Sequence, residues 1–214
     1  MINLNLGVYV LDKNRTKEIG IKHLNDISSH IEGINKWKNI LLEYQFKSVY
    51  TDDVLAWLSS VLALKAVYSE NLGIGSVLVD NENNVVGEGH NKVFNPYFRS
   101  DLHAEMVVLN QFEENNKDIK SVKGYTLYTS LESCPMCLTR LITSGVNTVL
   151  YVAPDKFGGM VHIRKNLPSI WHDLSENQKF GQADCSQDLI NASEEIFLLN
   201  REELDKKIKM RQGY

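Results

Sequence analysis

The stretch YTLYTSLESCPMCLTRLITSGVNTVLYVA, residues 125–153, decides how this chain folds. Tyr125 to Ser130 predicts a strand, being rich in aromatic and β-branched residues. Pro135 stands where a helix can begin, because its missing N–H costs nothing at the first helical position. That helix runs to Gly145, a residue suited to a C-terminal stop. Thr148 to Val152 predicts a further strand.

Working outward, Ile74 to Val79 and Val85 to Gly89 predict two strands. DNENN, residues 80–84, joins them as the turn of a hairpin. A loop with Asn95-Pro96 follows, and then a helix from near Leu102 through Met106, Val107, Leu109 and Phe112. Upstream, Thr51 is placed to cap a helix, with Asp52 and Asp53 in a first turn that favours negative charge. Val54, Leu55, Trp57, Leu58, Val61, Leu62 and Leu64 give that helix a wide apolar face, and it stops near Tyr68. The order helix, hairpin, helix, strand, helix, strand implies a layered α/β domain with mixed sheet pairing. Residues 1–50 read as an N-terminal extension of unassigned role, with a strand over Asn3 to Leu11 and helical spacing from Asn14 to Phe46. Residues 51–214 form the main domain, with a helical tail from about Gln187.

Composition narrows the function classes. The chain has 214 residues, 43% of them hydrophobic, enough for a buried core. Its net charge of −4 removes the broad positive field of a general nucleic-acid binder. Three cysteines make a poor disulfide framework and suit a reducing cytoplasm. MINLNLGVYVLDKNR lacks the pattern of a signal peptide, and no apolar run is long enough to span a bilayer.

The chemistry sits in two short motifs. In Cys134-Pro135-Met136-Cys137, both sulfurs can converge at one helix N-terminus, where partial positive charge favours thiolate, the form that zinc binds. Alone, this pair is ambiguous: a redox couple is the chief competing reading, and chance packing a further one. His103-Ala104-Glu105, at another predicted helix start, supplies one imidazole to the same point. Three protein ligands leave a fourth position open, the arrangement of a catalytic zinc. Two thiolates and a neutral imidazole balance the ion's charge, and the ion makes water acidic near neutral pH. Glu105, beside the metal without ligating it, is placed to move protons.

The segments GIGSVLVDNENNVVGEGHN (73–91), HAEMVVLN (103–110) and YTLYTSLESCPMCLTRLITSGVNTVLYVAPD (125–155) resemble the cytidine deaminase superfamily, most closely its tRNA-adenosine-deaminase and guanine-deaminase branch. The resemblance covers roughly residues 52–160. It implies a three-layer α/β/α fold around a central five-stranded mixed sheet, a Zn²⁺ cofactor and a homodimer. It matches His103, Cys134 and Cys137 to the zinc ligands and Glu105 to the proton shuttle. Asn91 matches a base-contacting asparagine, although it also reads as a turn residue. The backbone N–H groups of Ala104 and Cys134 line the pocket by position. Ser133 departs from the family, whose pattern carries proline before the first cysteine.

Several residues have a second reading. His90 could stack near the pocket or simply sit in a loop. Tyr97, Phe98 and Arg99 could pack on a base or on their own loop. Asp101 could orient His103 or serve as a helix-terminal acid. Lys156 to Gly159 could line the substrate or merely connect. Lys206, Lys207, Lys209 and Arg211 could meet RNA phosphates. Glu202 with Lys206 and Glu203 with Lys207 fit instead a self-paired solvated helix. The chain is thus expected to be a zinc-dependent hydrolase that deaminates a nucleobase or nucleoside, a purine such as guanine or adenine. A tRNA-specific adenosine deaminase is the alternative, and a non-catalytic zinc-stabilised module a further one.

Overall fold

The computed structural model describes residues 12–214. The strand expected over Asn3 to Leu11 lies outside them. Two helices, α1 (Lys13–Asp26) and α2 (Glu32–Glu43), precede a longer α3 (Asp53–Tyr68). The hairpin is β1 (Gly75–Val79) and β2 (Val85–His90). Then come α4 (Ala104–Asn115), β3 (Thr126–Leu131), α5 (Pro135–Ser144) and β4 (Thr148–Ala153). A short 3₁₀ turn (Arg164–Asn166), α6 (Ser169–Leu174), β5 (Lys179–Gln182) and α7 (Gln187–Arg211) complete the chain.

The sheet has the order β2-β1-β3-β4-β5. β1 pairs antiparallel with β2 and β3, whereas β3–β4 and β4–β5 are parallel. Side chains alternate between its faces. Leu78, Leu127 and Val149 pack with α4 and α5 through Val108, Leu109, Phe112 and Leu141. Val77, Val79, Tyr128 and Val152 turn the other way, into a core built by α1, α2, α3 and α7. The expected three-layer α/β/α architecture with a five-stranded mixed sheet is therefore present, and α1 and α2 add a partial outer layer over α3.

That outer layer explains a difference from the expected one-faced helix. Every residue of α3 from Asp53 to Val67 except Lys65 is buried. A helix apolar all round must be covered on every side. The sheet covers one side, and Leu24, Ile27, Ile34, Trp37 and Leu41 cover the opposite one. At the centre lies Trp57, whose Nε1 donates to the Leu41 carbonyl at 2.9 Å and whose ring meets Phe46 edge-on at 5.3 Å. α1 approaches so closely that a Cβ on Gly20 would stand 2.2 Å from the indole.

The start of α3 also differs from expectation. Thr51 does not cap the helix; its N–H and hydroxyl both donate to Asp184. Asp52 holds the N-cap position, but its carboxylate accepts from the Tyr128 hydroxyl and the Asp184 N–H. Asp53 is buried and accepts from the Tyr44 hydroxyl, the Lys47 N–H and the Ser186 N–H, each at 2.9 Å. Tertiary donors have outcompeted the local cap, so the two acids fasten α3 to β3 and to the start of α7. Elsewhere Pro135 does open α5, and Gly145 closes it at φ 75°, where glycine bears no Cβ penalty.

Because Trp57 joins α1, α2 and α3, Trp57→Ala is expected to destabilise the protein by about 3–5 kcal/mol in chemical denaturation. A loss under about 1 kcal/mol would contradict this account of the packing.

Candidate metal centre

Two crossovers bring the chemistry together. The chain leaves β2 through residues 91–103 into α4, and leaves β3 through Glu132 and Ser133 into α5. His103 is the N-cap of α4 and Cys134 the N-cap of α5. Cys137 lies in the first turn of α5 and Glu105 in the first turn of α4. The facing ends of two helices, each with unpaired N–H groups and partial positive charge, therefore surround one point.

The ligand atoms of His103, Cys134 and Cys137 all lie within 4.8 Å of one another, and no other such trio converges among the described residues. Zinc–sulfur and zinc–nitrogen bonds of about 2.3 and 2.0–2.1 Å at a tetrahedral angle hold S and N about 3.6 Å apart. Cys134 Sγ and His103 Nδ1 are 3.6 Å apart. The trio thus fits zinc in both donor chemistry and spacing, with Nδ1 as the imidazole atom facing the sulfurs. Cys185 is elsewhere, buried in the core, its thiol pushed up to about 12 by that burial and by nearby aspartates.

The three ligands and Glu105 are electrostatically coupled, and of the ligands only Cys134 is drawn toward its zinc-binding form. The Cys134 thiol is lowered to about 4, first by hydrogen bonding from Cys137 and then, against its burial, by His103. Cys137 is correspondingly raised, because it holds the proton of the pair. Burial disfavours charge on His103, but the Cys134 hydrogen bond and charge outweigh it and raise its pKa. Glu105 is 3% exposed. Burial first, and the charge of Cys134 second, hold its carboxyl above the ordinary range. The Ser133 hydroxyl donates to its Oε1 at 2.9 Å.

Asn91 ends the hairpin and is fully buried. Its N–H donates to the Ile74 carbonyl and its Oδ1 accepts from the Val93 N–H at 3.1 Å, while its Nδ2 has no partner. The next residue, Lys92, bonds through its N–H to the carbonyl of Leu102, just before His103. Ala104 is the first residue of α4 and is buried.

Other candidates resolve differently. Asp101 does not hold His103; it pairs with Arg99 through two hydrogen bonds of 2.9 and 2.7 Å. Phe98 packs edge-on to Phe94 and beneath the Arg211 guanidinium, 4.2 Å from its ring centre. His90 faces a separate cleft with His23, Lys65 and Lys92. Glu202–Lys206 and Glu203–Lys207 form the expected ion pairs, each 2.8 Å long.

Two features escaped the sequence reading. Glu132, with its side chain 1% exposed, anchors the segment after β4 by accepting from the Asp155 N–H, the His162 N–H and the His162 ring. No periodicity marks an acid between a strand and a metal motif as buried. Secondly, the end of α7 lies at the mouth of the site. A cleft of about 570 Å³ is lined by His103, Val93, Phe98, Arg99, Ile208 and Arg211, among others. Residues over 100 positions apart meet there, and no local signal connects them.

Comparison with known proteins agrees with this geometry. Residues 51–153 match the cytidine and deoxycytidylate deaminase zinc-binding region. The chain is 31% identical over 133 residues to the tRNA-specific adenosine deaminase of Haemophilus influenzae, covering 60% of this chain and 75% of that one. It is 33% identical over 110 residues to the chloroplastic tRNA(adenine(34)) deaminase of Arabidopsis thaliana, a match covering half of this chain but 8% of that one. The guanine deaminase structure from Nitrosomonas europaea shares the fold, with TM-score 0.53, 16% identity, and coverage of 80% of this chain and 95% of that one.

Two outcomes follow, one from the site and one from the neighbouring cleft that holds His90. Cys137→Ser is expected to lower bound zinc well below one per chain by elemental analysis, since a hydroxyl is a far poorer ligand than thiolate. His90 is pushed down to about 3, by burial first and then by Lys92 and Lys65. Below its unfolded pKa of about 6.5, the unfolded chain takes a proton that the folded chain refuses. Stability from this group is therefore whole above pH 6.5 and falls as pH drops toward 3. His90→Gln should retain more stability than wild type on acidification, by on the order of 2 kcal/mol at pH 4.5, in denaturant titrations.

Proposed function

Because the chain belongs to the cytidine and deoxycytidylate deaminase family of zinc proteins, we propose that it is a hydrolytic deaminase. On this reading it replaces an exocyclic amine of a free nucleobase or nucleoside, a purine such as guanine or adenine, by oxygen and releases ammonia. The observation that carries the proposal is Glu105, a buried carboxylate beside three convergent metal ligands and not one of them. A purely structural zinc site has no use for such a group.

His103, Cys134 and Cys137 hold the metal as neutral imidazole and two thiolates, which balances the charge of Zn²⁺. Zinc, when bound, supplies Lewis acidity and an acidified water at neutral pH. Glu105 takes a proton from the attacking water, passes it to the ring nitrogen, and delivers one to the departing amine. Its raised pKa suits a group that must both accept and give. Asn91 offers its unpartnered Nδ2 as a donor to an acceptor atom of the base, and the N–H of Ala104, the first residue of α4, is assigned to the pocket from its place next to His103. Residues 51–214 constitute the deaminase domain, and residues 1–50 an extension whose described part covers α3. A homodimer in the cytoplasm completes the reading; no described helix is long and apolar enough to cross a membrane.

A free substrate is favoured by the net charge of −4 and by the self-paired cations of α7. The second reading, a tRNA-specific adenosine deaminase, is favoured by the Haemophilus influenzae relative and by Phe98, Arg99 and Arg211 at the cleft mouth. Ammonia release from guanine, adenine, cytosine, their nucleosides and a tRNA anticodon stem-loop separates the two. Activity on the stem-loop alone would replace the first reading by the second, and a zinc-loaded but inert protein would support a binding module. Glu105→Ala is expected to keep about one zinc per chain while turnover falls about 10²–10⁴-fold. Normal turnover would remove Glu105 from the mechanism.

A further inference from the structure

Ser133 occupies the place where the family's pattern carries proline, immediately before a metal ligand. It is 1% exposed and lies in the turn between β3 and α5. Its hydroxyl donates to Glu105 Oε1 at 2.9 Å, across 28 positions of sequence. Its carbonyl accepts from the Met160 N–H at 2.9 Å. The preceding residue is held too, because the Glu132 N–H donates to the Ala153 carbonyl and its carboxylate grips Asp155 and His162. The hydroxyl is thus carried on backbone fixed from both sides. Proline has no hydroxyl and no N–H, so the family's usual residue makes no such bond.

A carboxylate that shuttles protons has two oxygens, and a rotating group presents either of them. Hydrogen bonds to a charged acceptor are short and strong, more so away from water. We propose that Ser133 is a positioning residue for Glu105: its hydroxyl holds Oε1 and leaves Oε2 as the oxygen that carries the proton. Oε2 takes one proton from the attacking water and passes it to the ring nitrogen. It then takes the second from the hydroxyl left on the carbon and delivers it to the amine, so that the C–N bond breaks, ammonia leaves and the oxygen stays on the carbon as a carbonyl. Ser133 keeps its own proton throughout. This proposal rests on the deaminase reading.

The test uses the zinc-loaded full chain and the best substrate from the panel above. Ser133→Ala is expected to bind about one zinc per chain, leave KM within about twofold and lower kcat about 10–100-fold. Ser133→Thr, which restores a hydroxyl, should recover most of that loss, and Ser133→Pro should behave like alanine. Unchanged kcat in Ser133→Ala, or loss of zinc in that variant, would overturn the proposal. A substrate-free measurement keeps it separable from the deaminase reading. In denaturant unfolding, Ser133→Ala and Glu105→Gln, made singly and together, should be coupled by about tenfold in the unfolding constant. Additive effects would sink the proposal even if the enzyme proves active. If wild type turns over nothing on the panel, or the threonine methyl prevents folding, this coupling decides.

Discussion

The structure depends on covering α3. A helix with apolar side chains on every face has no side that water tolerates. The sheet satisfies one side, α7 packs beside it, and α1 and α2 close the rest. The ends are as constrained as the middle. Asp52 and Asp53 face Tyr128, Tyr44, Lys47 and Ser186, and so couple the helix to β3, to the segment after α2 and to the approach of α7. With α3 fixed against one face of the sheet, α4 and α5 have only the other face to occupy.

That arrangement produces the metal centre. α5 begins just after β3 and α4 after the loop 91–103 that follows β2, and both point their N-termini at one location. Hydrogen bonds from Cys137 first, and then His103, favour the thiolate of Cys134 there against its burial. Burial first, and the same thiolate second, raise the pKa of the neighbouring carboxyl, and the Cys134 hydrogen bond and charge raise that of the imidazole against its burial. A small group of side chains thereby acquires proton affinities that none would have in water, from burial and from one another.

Around this centre the walls come from distant parts of the chain. Glu132 binds the segment after β4 to the turn that holds Cys134. Arg211, at the end of α7, rests on Phe98 in the loop before α4. Closing such a long loop costs entropy that the α3–α7 packing must offset before the two residues can meet. Its consequence is that the mouth of the cleft is formed partly by the C-terminal helix.

Much of the fold was legible because it rests on local rules. DNENN supports a turn in which Asp80 accepts from its own neighbours, Pro135 and Gly145 bound a helix, and strand composition marks β1 to β4. β5 was not legible from local signals. It is four residues long, lies at the sheet edge, and carries Gly181 and no alternating burial. The metal ligands were legible for a chemical reason: cysteine and histidine at those spacings have few other uses together in a chain with three cysteines.

The sequence by itself therefore determined most of the elements, though not β5, and marked the three candidate ligands and the carboxylate beside them, since each follows from side-chain type and short spacing. Only the tertiary structure decided who holds Glu105, where the helix-starting acids go, and what lines the cleft. Those outcomes are set by competition among partners far apart in sequence, and burial raises the cost of leaving any polar group unpaired. Thr51 lost its capping role to such a competition, and Ser133, read in the chain as a missing proline, became in space the donor that holds the Glu105 carboxylate.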